Sequence, residues 1–133
     1  MNAMTLLIGR ILVASLFLVA GIRKIMFYAG TVGYFTKLGL PAPEAMAWLA
    51  IIIEIGGAIL LIVGWKTQWA AWALIIFAVI ATAMAHRFWQ FDAAQYGNQL
   101  NHFLKNLAII GGLLYFVTFG AGAMSVDGRK RSA

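Results

Sequence analysis

Glu54 stands in the middle of the apolar run AWLAIIIEIGGAILLIVGW, residues 47–65. An ionisable side chain near a bilayer centre costs a few kcal/mol on insertion scales, so it normally has a partner and a use. Two uses are open here: a proton, ligand or substrate site, or an ion pair that only fixes how two helices meet. The side chains able to join it are Arg10, Lys24, His86, Lys105 and Asn106. At 1.5 Å of rise per residue, Glu54 lies ~15 Å and Arg10 ~8 Å from the end of the bundle that carries Lys66. A long guanidinium side chain bridges that gap, so Arg10 is the expected partner. Lys24, His86 and Lys105, with Asn101 and Asn106, fall toward the opposite face and read as a second, shallower basic group. Arg10, Lys24, Arg87 and Lys105 are each close enough to a span end to snorkel as ordinary lipid-facing cations. His86 is balanced between anchor and site, and His102 is expected at the surface.

Other chemistries fit poorly. The chain has no cysteine, which removes disulfide relays, thiolate zinc and cysteine-ligated iron–sulfur clusters. The two histidines are 16 residues apart with no carboxylate at ligand spacing, so no haem or metal signature is present. No glycine-rich phosphate loop or nucleophile elbow occurs. The net charge of +6 sits at span ends and in links, which points to anionic lipid headgroups and away from nucleic acid.

The elements that must position these residues are membrane spans. With 63% hydrophobic and 11% charged residues in a chain of 133, and a mean hydropathy of +0.89, the composition is far from that of soluble domains. Four apolar blocks, about 5–26, 45–64, 67–85 and 103–122, are each near the ~20 residues that cross the hydrocarbon. The first block is a retained span rather than a signal peptide, because its apolar run is long and Arg23-Lys24 follows it directly. Tryptophans 48, 65, 69, 72 and 89 cluster at span ends as an aromatic belt. The link at 65–67 is short, so spans two and three are antiparallel neighbours. The link at 27–44 contains GTVGYFTKLGLPAP and predicts a short interfacial helix ended at Gly39, with Pro41 and Pro43 leading into span two. The link at 87–101 is expected at the surface.

Helical spacing puts Ala47, Ala50, Glu54, Gly57, Leu61 and Gly64 on one stripe of span two, so the carboxylate shares a face with small residues that mark close helix contact. Matching stripes are Arg10, Ala14, Phe17, Gly21 and Lys24 in span one; Ala71, Ile75, Ala78, Thr82 and Ala85, with His86 adjoining, in span three; and Lys105, Ala108, Gly112, Tyr115 and Phe119 in span four. The expected fold is an all-α integral membrane protein, one domain over 1–133, with four helices in an up-down bundle and a polar interior. Lys66 and Arg129-Lys130-Arg131 favour both termini in the cytoplasm, although Arg23, Lys24, Lys37 and Arg87 then face outward.

GRILVASLFLVAGIRKI, GTVGYFTKLGLPAPEAMAWLAIIIEIGGAILLIVGW, ATAMAHRFW and NHFLKNLAIIGGLLYFVTFGAGAMSVDGRK together resemble the DoxX family of small four-helix bacterial inner-membrane proteins. The markers are Arg10, Gly21 with Lys24, Glu54, His86, and Lys105 with Asn106. The resemblance implies a plasma-membrane location and a quinone-linked redox role, because the family name comes from association with a terminal quinol oxidase. The expected function is therefore an accessory subunit linked to quinone or electron transport, with a redox partner subunit and no self-contained catalysis. The alternatives are a small carrier or lipid- or solute-binding protein, which would need a homo-oligomer, and a structural assembly subunit.

Overall fold

A computed structural model describes residues 2–132. Its helices are α1 (Ala3–Met26), α2 (Tyr28–Lys37), α3 (Pro43–Val63), α4 (Thr67–Ala85), α5 (Ala93–Phe119) and α6 (Val126–Ser132), with one 3₁₀ turn at Phe88–Gln90. By length and composition, α1, α3, α4 with its following turn, and α5 are able to cross a membrane. The membrane-spanning helices pack in chain order, α1 on α3, α3 on α4 and α4 on α5. α5 returns to touch α1 over a short stretch, near Gly9 and Phe116 and near Val13 and Gly112. The up-down bundle is thus the observed architecture.

Local chemistry sets the ends. Asn2 caps α1, its Oδ1 accepting from Met4 N at 3.0 Å. α2 ends at Lys37, and Gly39 takes the left-handed conformation just beyond it. Pro43 opens α3, where its missing N–H is no loss. Asp92 caps α5 by accepting from Gln95 N at 3.0 Å.

That last cap corrects the sequence reading. α5 begins ten residues before position 103, because Asp92 starts a helix through the polar run AAQYGNQLNH, most of which is exposed. The fourth helix also presents a different face. Leu113 and Phe116 are its buried residues, whereas Lys105 and Ala108 are exposed and Tyr115 keeps 68% of its surface. Anchoring the stripe on Lys105 placed inside the bundle a cation that is in fact exposed. The stripes of the first three spans stand as expected: Arg10, Ala14, Phe17 and Gly21 are buried in α1, seven residues including Glu54 in α3, and Ala71, Ile75, Ala78 and Thr82 in α4.

The core is built from Phe17, Leu61, Leu74, Leu113 and Phe116 with Ala14, Ala58 and Ala71 between them. Lipid offers no hydrophobic drive to bring helices together, so close backbone approach at small residues carries the packing. Gly57 shows this: a Cβ added there would stand 2.8 Å from Leu74 Cδ2.

Candidate functional site: an intramembrane ion pair beside a lipid-facing groove

Glu54 is 3% exposed, and its partner is Lys24. Lys24 Nζ lies 3.0 Å from Oε1, with hydrogen-bond geometry, and 2.8 Å from Oε2. The backbone sets up the pair. Gly21 lets α1 approach α3 at this level, since a Cβ there would come within 2.5 Å of Ile55 Cγ1 and 3.3 Å of Glu54 Cβ. Side chains on a helix lean toward its N-terminus, so Lys24, one turn beyond Gly21, reaches back to the carboxylate.

Arg10 is therefore not the partner of Glu54. It is fully buried at the other end of the pair of helices, packed where a Cβ on Gly64 would collide with its Nη1. Ten residues of α3, ~15 Å of rise, separate that level from Glu54. The depth estimate failed because α3 is shifted along α1: its first turns stand beyond the end of α1, bringing Glu54 level with Gly21.

Arg10 instead belongs to a polar knot formed by the C-terminal segment. Its Nη2 donates to Met124 O, while Nε and Nη1 make no hydrogen bond within residues 2–132. Asp127 is the carboxylate whose charge acts on it. Asp127 also closes the turn between α3 and α4: Oδ1 accepts from Lys66 N at 2.9 Å, and Oδ2 from Thr67 N at 2.9 Å and Thr67 Oγ1 at 2.8 Å. Its own N–H donates to Gly64 O at 2.8 Å. Burial pushes the Asp127 carboxyl up, but the Thr67 and Lys66 hydrogen bonds and the charge of Lys130 outweigh it and hold the group below its ordinary value. Sequence reasoning missed this residue. The available signal was scarcity, for the chain has only four acids.

A third polar group lies between α4 and α5. Thr82 is buried, donates to Ala78 O at 2.6 Å and accepts from Asn106 Nδ2 at 2.8 Å. One turn on, His86 Nδ1 lies 2.9 Å from Gln99 Oε1, and its ring stacks on that of His102 with centroids 4.9 Å apart. His102 thus packs against the site and is not simply a surface residue, and Gln99 was not foreseen. Among the described residues, Lys105 makes no hydrogen bond or ion pair with any of these groups. The six residues, expected in two groups, divide among three places and the exposed surface.

Beside the ion pair, α1 and α2 enclose an open groove of about 950 Å³. Its wall carries Leu12, Leu16 and Val19 along α1 and Phe35 on α2, with Arg23 and Lys24 at one end. α2 packs mainly on α3 and contributes no buried residue, so the groove stays open to the lipid side. Lys24 thus has its ammonium on Glu54 and part of its surface in the groove.

Four apolar helices, with a buried carboxylate of α3 paired to a half-buried amine of α1, define a polytopic membrane protein with an ionisable site between two of its spans. The chain belongs to the DoxX family, whose profile matches residues 5–87. It is similar to inner membrane protein YphA of Escherichia coli (strain K12), 38% identical over 93% of this chain and 89% of that one. It is also similar to inner membrane protein YqjF of the same organism, 36% identical over 91% and 88%. A more distant likeness, 31% identical over 64% of this chain and 27% of the other, is to the ER-derived vesicles protein ERV29 of Saccharomyces cerevisiae (strain ATCC 204508 / S288c). No solved structure matches the chain at the significance these relatives reach. The protein is a multi-pass inner-membrane protein.

Proposed function

We propose that the protein is an accessory subunit of quinone-linked electron transport, in which Lys24 and Glu54 exchange protons with a ligand that arrives through the membrane. One observation carries the reading: a buried carboxylate is separated from a lipid-facing groove by a single amine. A quinone supplies electron and proton carriage together, and its ring carbonyls accept hydrogen bonds. The residues present fit such a head, because the groove's polar lining includes the donors Lys24, Arg23 and Tyr34 and no carboxylate. Lys24 donates to an acceptor at the groove wall, and Glu54 holds the compensating charge or a proton. Electrons come from a partner subunit.

The test is mass-spectrometric quantification of isoprenoid quinone retained by gently purified protein, wild type beside Glu54→Gln. Near-stoichiometric quinone in the wild type, lost in the folded variant, supports the reading. Background quinone in both sinks it. A purely structural pair makes a different prediction, namely that Lys24→Met with Glu54→Gln restores both folding and complementation in the cell.

A further inference from the structure

We infer that the α1–α2 groove holds an anionic glycerophospholipid of the surrounding leaflet, seated with its phosphate on Arg23 and an acyl chain along α1. The inference goes beyond the quinone reading and stands without it; a quinone reaching Lys24 would have to displace this lipid.

Three features carry it. The first is charge. Arg23 is exposed, makes no ion pair with any residue in 2–132, and lines the groove beside Lys24. Lys24 is neutralised by Glu54, and no carboxylate lines the groove, so the site has one uncompensated positive charge. The second is level. Arg23 is in the last turn of a membrane-spanning helix, where headgroups lie, and that helix end itself favours the cation but leaves its anion to come from outside. The third is length. Leu12, Leu16 and Val19 continue down one face of α1 from Arg23, and the eleven residues from Arg23 to Leu12 rise ~16 Å, the reach of an acyl chain toward the bilayer centre.

The groove also supplies its own control. Gly30 lines it, and Gly33, on the same helix, does not. A Cβ added at either glycine meets nothing within 4 Å, so a larger side chain is accommodated at both. Gly30→Leu fills the groove, and Gly33→Leu adds the same side chain outside it.

The experiment is native mass spectrometry of purified protein equilibrated with equimolar phosphatidylglycerol and phosphatidylethanolamine in mixed micelles. The set comprises wild type, Arg23→Gln, Gly30→Leu, Gly33→Leu and Arg129→Gln, each checked for unchanged helical circular dichroism. The expected result is one phosphatidylglycerol bound with about fivefold preference over phosphatidylethanolamine. Arg23→Gln loses the preference and Gly30→Leu the bound lipid, while Gly33→Leu and Arg129→Gln match the wild type. Equal binding of the two lipids by the wild type overturns the inference, as does undiminished phosphatidylglycerol on folded Gly30→Leu. Failure of the quinone reading is seen separately, in the quinone content of the wild type and Glu54→Gln.

Discussion

Lys24 Nζ lies 2.8 Å from Glu54 Oε2, although Lys24 is two residues from the end of its helix and Glu54 is eleven residues into the next span. The pair is asymmetric. The Lys24 side chain keeps 23% of its surface and that of Glu54 only 4%, so an orphaned Lys24 can swing toward the groove and the headgroups, whereas an orphaned Glu54 has nowhere to go. Lys24→Met should therefore cost about 3 kcal/mol, the lower end for a broken buried pair, and Glu54→Gln about 1 kcal/mol. The double variant should recover most of the loss. Thermal unfolding in detergent reads all three, and equal losses from the two single variants would contradict the asymmetry.

Asp127 joins the C-terminal segment to the start of α4 much as a capping side chain would, although it comes from 60 residues along the chain. Asp127→Ala should cost about 1 kcal/mol, the usual worth of a cap, and should make residues 120–132 readily cut by added protease. Asp127→Asn keeps one acceptor and should fall between. A tail equally protected in all three proteins would show that the contact holds nothing.

The same carboxylate gives the tail a pH dependence with a defined sign. Because Asp127 lies below its ordinary value when folded, its contribution is complete above about pH 4 and is lost as pH falls through the folded value. The difference in melting temperature between wild type and Asp127→Asn should thus be constant near neutrality and shrink on acidification below pH 4. A difference that grows at low pH would reverse the assignment.

Adjacent glycines on α3 should behave differently. A Cβ at Gly57 meets Leu74 at 2.8 Å, and one at Gly56 meets nothing within 4 Å. Gly57→Ala should destabilise by about 1–3 kcal/mol through overpacking. Gly56→Ala should be neutral or slightly stabilising, because alanine restricts the unfolded chain more than glycine does. Matched unfolding curves check both.

The spans, the interfacial helix and three of the four buried stripes were legible because hydropathy and helical period act within one segment, and Glu54 stood out because nothing near it in sequence could neutralise it. Its partner was not legible, for it depends on how far α3 slides along α1, which Gly21 and Gly64 decide by close approach. Lys105 misled for a related reason: a cation near a span end has two places to go, and pattern alone does not choose. Gln99 lay in a stretch read as a link and Asp127 beyond the last span, where polarity is unremarked. Each of the four acids takes a structural place: Glu44 lies in the first turn of α3, Glu54 pairs with Lys24, Asp92 caps α5, and Asp127 closes the α3–α4 turn.

The bond from Arg10 to Met124 spans 114 residues. During synthesis α1 enters the membrane long before Met124 and Asp127 leave the ribosome, so its guanidinium must first be served by water or headgroups at the membrane edge. Arg10 can be withdrawn into the protein only when the C-terminal segment arrives. Removing residues 120–132 should therefore leave the Arg10 guanidinium without its hydrogen bond and return that charge to the edge of the bundle.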